Sequence, residues 1–387
     1  MTTESPIPIW RDERFWRVAA QAIAVIITIA IVSLLLVNLD RNLQRLGIEF
    51  GFEFLGLRAS FDIAETPIEY NPSSSYIRAL MVGLINSLRV AIAGIVLTTI
   101  VGVTVGIARL SDNWLVRNLA LVYVEILRNT PLLLQLLFWY FVIFLRGQQG
   151  LTQLPGSAYL SPSGLVLPWL QATPATGIWL VLLLGGIIIA AFLWRWRIRI
   201  RLEQGVPGRQ LWWALGVIAL AALIAALLTR SLPFVFDFPQ FVGENRIQGG
   251  LRLSLEFAAL LMGLTLYTAA FIAEIVRAGI QSVPKGQWEA ARSLGLKPGL
   301  VMRLVIFPQA LRVIIPPLNS EYLNLWKNSS LAIAIGYPDV YFVASTTFNQ
   351  TGKAVEVMLL LAITYLGISL IISLLMNLLN KTLTTGN

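Results

Sequence analysis

The chain has no cysteine and no histidine among its 387 residues, and only 13% of them are charged. Without cysteine there is no disulfide. Without either residue there is no zinc site of the Cys/His kind, no metal site is expected, and no histidine is present to act as a general base or triad member. No G-x-x-x-x-G-K-[ST] run occurs, so nothing here is equipped to cradle ATP phosphates. A soluble domain carries about 25% charged residues. The shortfall, beside a hydrophobic content of 57%, names lipid as the solvent. The net charge of +9 fits cations gathered on cytoplasmic loops and calls for no nucleic-acid partner.

What is present is a series of long apolar runs. A spanning helix needs about 20 such residues, and spans are expected at residues 18–39, 86–110, 131–145, 178–194, 211–228, 253–275, 313–335 and 355–379. The first follows Arg11, Arg14 and Arg17. It is too long for a signal peptide and lacks a small-x-small cleavage site, so it reads as an uncleaved anchor. The third is short and borrows length from 114–129. There Leu115, Leu119, Val122 and Ile126 recur at helical spacing, which predicts an amphipathic entry helix. Eight spans place both termini on one side. With that side cytoplasmic, inner segments hold 18 Lys/Arg, among them Arg109 and Arg128, and outer segments hold 9, which sets the orientation. The long outer loop 40–85 carries Glu49, Glu53, Asp62, Glu65 and Glu69. The run WRWRIRIR (194–201) reads most simply as a stop-transfer anchor with aromatics at headgroup level, lipid binding being the other reading.

One inner loop departs from the pattern: QWEAARSLGLKPGLVMRLVIFP, residues 287–308. Ser282 and Pro284 supply a start signal, Gly295 is placed to stop a helix, and Pro298 suits the first position of a second. Pro308 should end or kink that second helix. Two short helices lying across the membrane face are therefore expected. Ala290 and Ala291 would form a smooth patch ringed by Glu289, Arg292 and Arg303, a shape suited to docking a cytoplasmic partner.

EAARSLG followed by VIFP resembles the E-A-A-x3-G-x9-I-x-L-P motif of ABC importer permeases, with Val305 for Ile and Phe307 for Leu. EILRNTPLLLQLLFWYF (125–141), AAFIAEIVRAGIQSVPKGQ (269–287) and FPQALRVIIPPLNSEYLNLWKNSSLA (307–332) look like the polar amino-acid branch of that family. The stretch 50–90 is similar to the long permeases of general L-amino-acid transport systems. The resemblance implies an all-α polytopic membrane helix bundle with a type I permease core over 86–381. Residues 1–85 would be an anchor helix plus periplasmic loop, about 146–250 an inserted helical hairpin, and about 278–312 a coupling loop. It further implies a transport subunit of the bacterial inner (plasma) membrane that is not itself an enzyme and holds no cofactor. ATP and Mg would be used by two partner ABC ATPase subunits, beside a second homologous permease and a periplasmic amino-acid-binding protein. Trp288, Glu289, Ala290, Ala291, Arg292, Gly295 and Pro308 would carry the coupling.

The seventh span is unusually polar, with Asn319, Glu321, Asn324, Lys327, Asn328 and Ser329 close together. Charge inside a span costs about 2.5–3.5 kcal/mol per group. Glu321, Asn324 and Asn328 share a helical face. Glu321 could take a substrate ammonium, and Arg89, Lys327 or a helix N-terminus a carboxylate. The other reading makes these groups structural glue in the bundle. Pro316–Pro317 are expected to break this helix. Glu274 and Arg277 should pair at i, i+3 as a gate or loop anchor. The GxxxG at 102–106 permits close helix contact. An ion-gradient-driven secondary carrier with Glu321 as proton site is the alternative function, disfavoured by the absence of an internal repeat. A non-transporting scaffold has little use for buried charge.

Overall fold

The structure is a computed structural model and describes residues 13–45, 47, 50–145, 150–162, 164–204, 210–243 and 246–384; Arg11, Glu49 and Arg209 lie outside them. Among these residues, seven helices are long and apolar enough to cross a membrane, or eight if one sharply bent pair counts as a span. The order begins with α1 (Glu13–Arg45), α2 (Tyr76–Ala108), α3 (Trp114–Asn129) and α4 (Leu132–Leu137) with its π-helical extension Phe138–Phe144. Strands β1 (Thr152–Leu154), β2 (Ala158–Ser161), β3 (Gly164–Leu167) and β4 (Trp169–Ala172) follow, then α5 (Thr176–Gln204) and α6 (Gln210–Thr229). Strands β5 (Phe234–Asp237), β6 (Gln240–Gly243), β7 (Arg246–Gln248) and β8 (Leu251–Leu253) lead into α7 (Leu255–Gln281). The chain closes with α8 (Lys285–Ser293), α9 (Pro298–Val301), a π-helical turn Met302–Ile306, α10 (Phe307–Asn328), a 3-10 turn Ser329–Ile335, α11 (Val340–Thr351) and α12 (Ala354–Thr384).

α7 is the most buried span, and the core is built around it. α2 runs parallel to it. Thr98 donates to the Thr265 carbonyl at 3.2 Å. One and two turns further on, Gly102 and Gly106 admit Ile272, Ala273 and Val276 so closely that a Cβ would stand 2.6–2.8 Å from them. The GxxxG is thus the α2–α7 seam, where missing side chains let backbones meet. α10 returns antiparallel, with Tyr322 hydrogen-bonded to Thr99 at 2.7 Å, and α12 backs it through Trp326, whose indole donates to the Tyr365 carbonyl.

Several expectations require correction. The third span is not one rod: α3 and the α4 unit meet at 107°. Thr130 precedes Pro131, and the proline ring drives it to φ −107°, ψ 131°, which no helix accepts. α2 begins at Tyr76 rather than Asn86, because Ser75 supplies an extended N-cap and the following residues keep helical form. Pro316 and Pro317 do not break α10, which runs unbroken to Asn328. The turns on either side are pinned by buried Ile314, Ile315 and Leu318. α11 was not foreseen; it is a short helix capped by Asp339 and packed on α2 at Gly83.

The helix bundle also carries a strand platform that hydropathy does not reveal. All pairings are antiparallel, and β1-β2-β3-β8 form one sheet. β3 pairs with β8 immediately before α7, so the two ends of the insertion close on each other. Leu154, Leu160, Leu165 and Leu253 seal the sheet onto the core beside Phe144 and Leu260. α5 and α6 pack on one another beyond the platform, with Gly186 against Ala221. A strap from residues 50–75 crosses the same end, held by Glu65 and Glu356.

Candidate functional site

At the end of the bundle opposite the platform, α7 stops at Ser282, whose hydroxyl donates to the Gly279 carbonyl at 2.8 Å. Ser282 therefore closes α7 rather than opening the next helix. Pro284 is the N-cap of α8. The far end of α8 is a Schellman turn. The Gly295 N–H donates to Arg292 at 2.9 Å, the Leu296 N–H to Ala291 at 3.4 Å, and Gly295 takes φ +72°, a conformation in which a Cβ is penalised. Half-buried Leu296 packs against the cluster that holds Ala291 and Val301.

This turn corrects the picture of the docking patch. Ala291 is 3% exposed and, with half-buried Trp288, glues α8 to Val283, Val301 and Ile306. The outward surface is Glu289, Ala290, Arg292, Ser293 and Leu294, the last 80% exposed. Nor is there a second free-standing helix. α9 begins with Pro298 at its first turn and merges through the π-helical turn into α10. Pro308 does not end it: it follows directly on the π-helical turn Met302–Ile306, and the helix continues through α10. Gln309 donates to Gln287 at 3.3 Å, tying α8 to α10 as well as α7.

On α7, short of its end, Glu274 is held from two directions. Arg277 makes the expected i, i+3 pair, with Nε at 3.1 Å from Oε2, and reaches on to Gln281. Arg109, from the end of α2, makes the second pair and is only 11% exposed. By sequence Arg109 is a loop cation; nothing local announces a partner so far along the chain. Arg128 is likewise not a turn cation. α3 carries it up to the bend, where its guanidinium lies 5.1 Å from the ring centre of Phe271 on α7, within electrostatic reach of Glu274 and Glu321. A lone arginine before Thr-Pro inside an apolar stretch was the available signal.

On α10, Val313, Pro316, Pro317, Ser320, Asn324 and Lys327 form one exposed strip about 100° wide, flanked by partly exposed Glu321 and Asn328. Lys327 has no carboxylate partner among the described residues. Lipid would penalise this strip by several kcal/mol, so it demands a polar neighbour. Asn319 lies on the opposite flank with Oδ1 buried, and Ser329 bonds to Trp326 within its own turn. Arg89 is engaged elsewhere. It pairs with Glu65 at 2.6 Å and lies 5.2 Å from the Phe257 ring centre. Glu65 also accepts from Ser254, the N-cap of α7, at 2.7 Å, so Arg89 and Glu65 lock the strap to α2 and α7.

Asp339 is fully buried under that strap. Its Oδ1 accepts from the Phe342 N–H at 2.8 Å, and its Oδ2 has no partner among the described residues. Burial pushes the carboxyl up from 3.8 to about 7, against the pull of the backbone N–H groups of Phe342 and Tyr341.

Residues 94–385 match the family described as binding-protein-dependent transport system inner membrane component. The chain is 43% identical over 371 residues to the general L-amino acid transport system permease protein AapQ of Rhizobium johnstonii, covering 95% of this chain and 92% of that one. It is 44% identical over 365 residues to a putative amino-acid ABC transporter permease protein, YhdX of Escherichia coli, covering 93% and 92%. It is 42% identical over 411 residues to BztB of Rhodobacter capsulatus, a glutamate/glutamine/aspartate/asparagine transport system permease protein, covering 96% and 94%.

Proposed function

The chain belongs to the family of inner membrane components of binding-protein-dependent transport systems, and from that premise we propose that it is the membrane-spanning half of an ATP-driven importer for L-amino acids, coupled to a separate ATPase through α8. The observation that carries the coupling is the mounting of α8. Three residues join it to α7, Gln287–Gln309 ties it to α10, and Ala291, Trp288 and Leu296 weld it to the turn between them. A push on α8 therefore moves two spans together. Its outward face, with Leu294 standing clear between Glu289 and Arg292, fits a groove with an apolar floor and charged rim. The Arg109–Glu274–Arg277 cluster sits where α2 and α7 would slide, and acts as the latch behind the knob.

In this reading the polar strip of α10 faces the path or the second permease, with Ser320, Glu321, Asn324, Lys327 and Asn328 meeting a zwitterion's two charged ends. The amino-acid assignment rests on the relatives named above. The termini and α8 face the cytoplasm, in keeping with the cation bias. ATP and Mg are used by two ATPase subunits, a homologous permease completes the membrane part, and a binding protein delivers ligand from outside.

The test uses the native lack of cysteine. With Ala290→Cys introduced alone, a short thiol cross-linker should capture the ATPase subunit; Ala291→Cys, turned inward, should not react. Glu289→Lys and Leu294→Glu should abolish transport-coupled ATP hydrolysis in reconstituted complexes while abundance in the membrane is unchanged. Full coupling in both charge variants would sink the proposal.

A further inference from the structure

The inserted hairpin has no role in the function above, and its foot has the chemistry of a lipid site. α5 as far as Trp194, and α6, are apolar all round, and Phe192, Trp194, Trp196, Trp212 and Leu220 stand exposed. At the end of the hairpin away from the platform, Arg195 and Arg197 have no carboxylate partner among the described residues. The Arg197 guanidinium lies 4.9 Å from the ring centre of Trp213. Trp213 also lines a groove that runs up α6 past Trp212, Gly216, Val217 and Leu220. A Cβ at Gly216 would meet nothing within 4 Å, so the floor of the groove is open rather than filled by a neighbouring helix.

From this juxtaposition we propose that the foot of the hairpin binds an anionic phospholipid, its phosphate held by Arg197 and one acyl chain lying in the groove over Gly216. Arg195, two positions away on α5, projects from the opposite face of the helix and takes no part. A cation at the head of an apolar channel matches the two halves of such a molecule. Trp213 joins them, because its ring holds Arg197 by a cation–π contact while its edge walls the groove. Tryptophan rings at headgroup depth fix the level. A helix from another protein would satisfy the groove but leave Arg197 facing apolar surface, which disfavours that occupant. The inference requires only that the chain sits in a bilayer, so it stands or falls independently of the importer reading.

The experiment compares the full-length chain in nanodiscs of phosphatidylcholine with and without phosphatidylglycerol, reading retained lipid by native mass spectrometry. Phosphatidylglycerol adducts should be preferred, and Arg197→Gln should lower their occupancy about fivefold, whereas Arg195→Gln, on the far side of α5, should lower it much less. Gly216→Leu, which fills the groove and leaves Arg197 in place, should lower it as well, whereas Arg230→Gln, at the other end of α6, should not. Equal retention of the two lipids, or occupancy indifferent to Arg197→Gln and Gly216→Leu, overturns the proposal. So does a photo-cross-linker at Val217 that captures a protein helix instead of lipid.

Discussion

The seam between α2 and α7 can be tested by adding two methyl groups. In an exposed helix, Gly→Ala stabilises by roughly 1 kcal/mol, because alanine surrenders less backbone entropy. At Gly106 the new Cβ would stand 2.8 Å from both the Ala273 carbonyl oxygen and the Val276 Cβ; at Gly102 it would stand 2.6 Å from Ile272 Cγ2. Carbon atoms prefer about 3.5–4.0 Å, so the helices must part by roughly 1 Å. Ile272 is fully buried and has nowhere to swing. Overpacking of this kind costs about 1–3 kcal/mol; contacts under 3 Å at both sites call for the upper half of that range, and subtracting the propensity gain of ~1 kcal/mol leaves a net loss of about 1–2 kcal/mol at either site. One displacement relieves both clashes, so the double variant should cost less than the sum of the singles. Gly367→Ala on α12 meets nothing within 4 Å and is the control. The assay is thermal unfolding of the purified chain in nanodiscs, with coupled hydrolysis measured in parallel, since the parted seam also shifts Arg109 away from Glu274. The reasoning fails if Gly102→Ala and Gly106→Ala raise the unfolding midpoint as Gly367→Ala does.

Glu274→Gln leaves Arg109 nearly buried without a carboxylate. It should destabilise by about 2–3 kcal/mol, below the usual 3–5 for a fully buried pair because Glu274 is a quarter exposed. Adding Arg109→Gln should restore part of the loss in the same unfolding assay, and a double variant worse than the single would argue against the latch. Asp339 sets a pH dependence with a definite sign. Its folded value of about 7 lies above the unfolded 3.8, so the folded state keeps a proton that the unfolded state releases. Stability should therefore fall as pH rises from about 4 to about 7, by ~4 kcal/mol at most, and level off above. Asn at 339 keeps the helix cap and removes the charge; an Asp339→Asn chain with the same slope of midpoint against pH would refute this.

Much of the molecule was readable from local pattern. Apolar run length gives the spans, helical spacing of Leu115, Leu119, Val122 and Ile126 gives α3, and the Gly295–Pro298 pair gives the stop and restart around Leu296. These are signals carried within a turn or two of backbone. The site was half readable for the same reason. Glu289 and Ala290 lie outward as expected, but the side on which Ala291 falls depends on Val301 and Ile306, which belong to another helix. The strands escaped notice because each has three or four residues and takes its stability from pairing, β3 with β8 above all, across the whole hairpin.

The solvent, the approximate number of spans, the family and the place of the projecting loop are all legible along the chain, because hydropathy, helix caps and a spaced motif act over short distances. It took the packed molecule to show that Arg109 meets Glu274 across 165 residues, that Arg89 serves the strap, and that Pro316 and Pro317 do not break α10. Those outcomes follow from energies between distant segments, where burial and pairing in three dimensions override what any short stretch prefers.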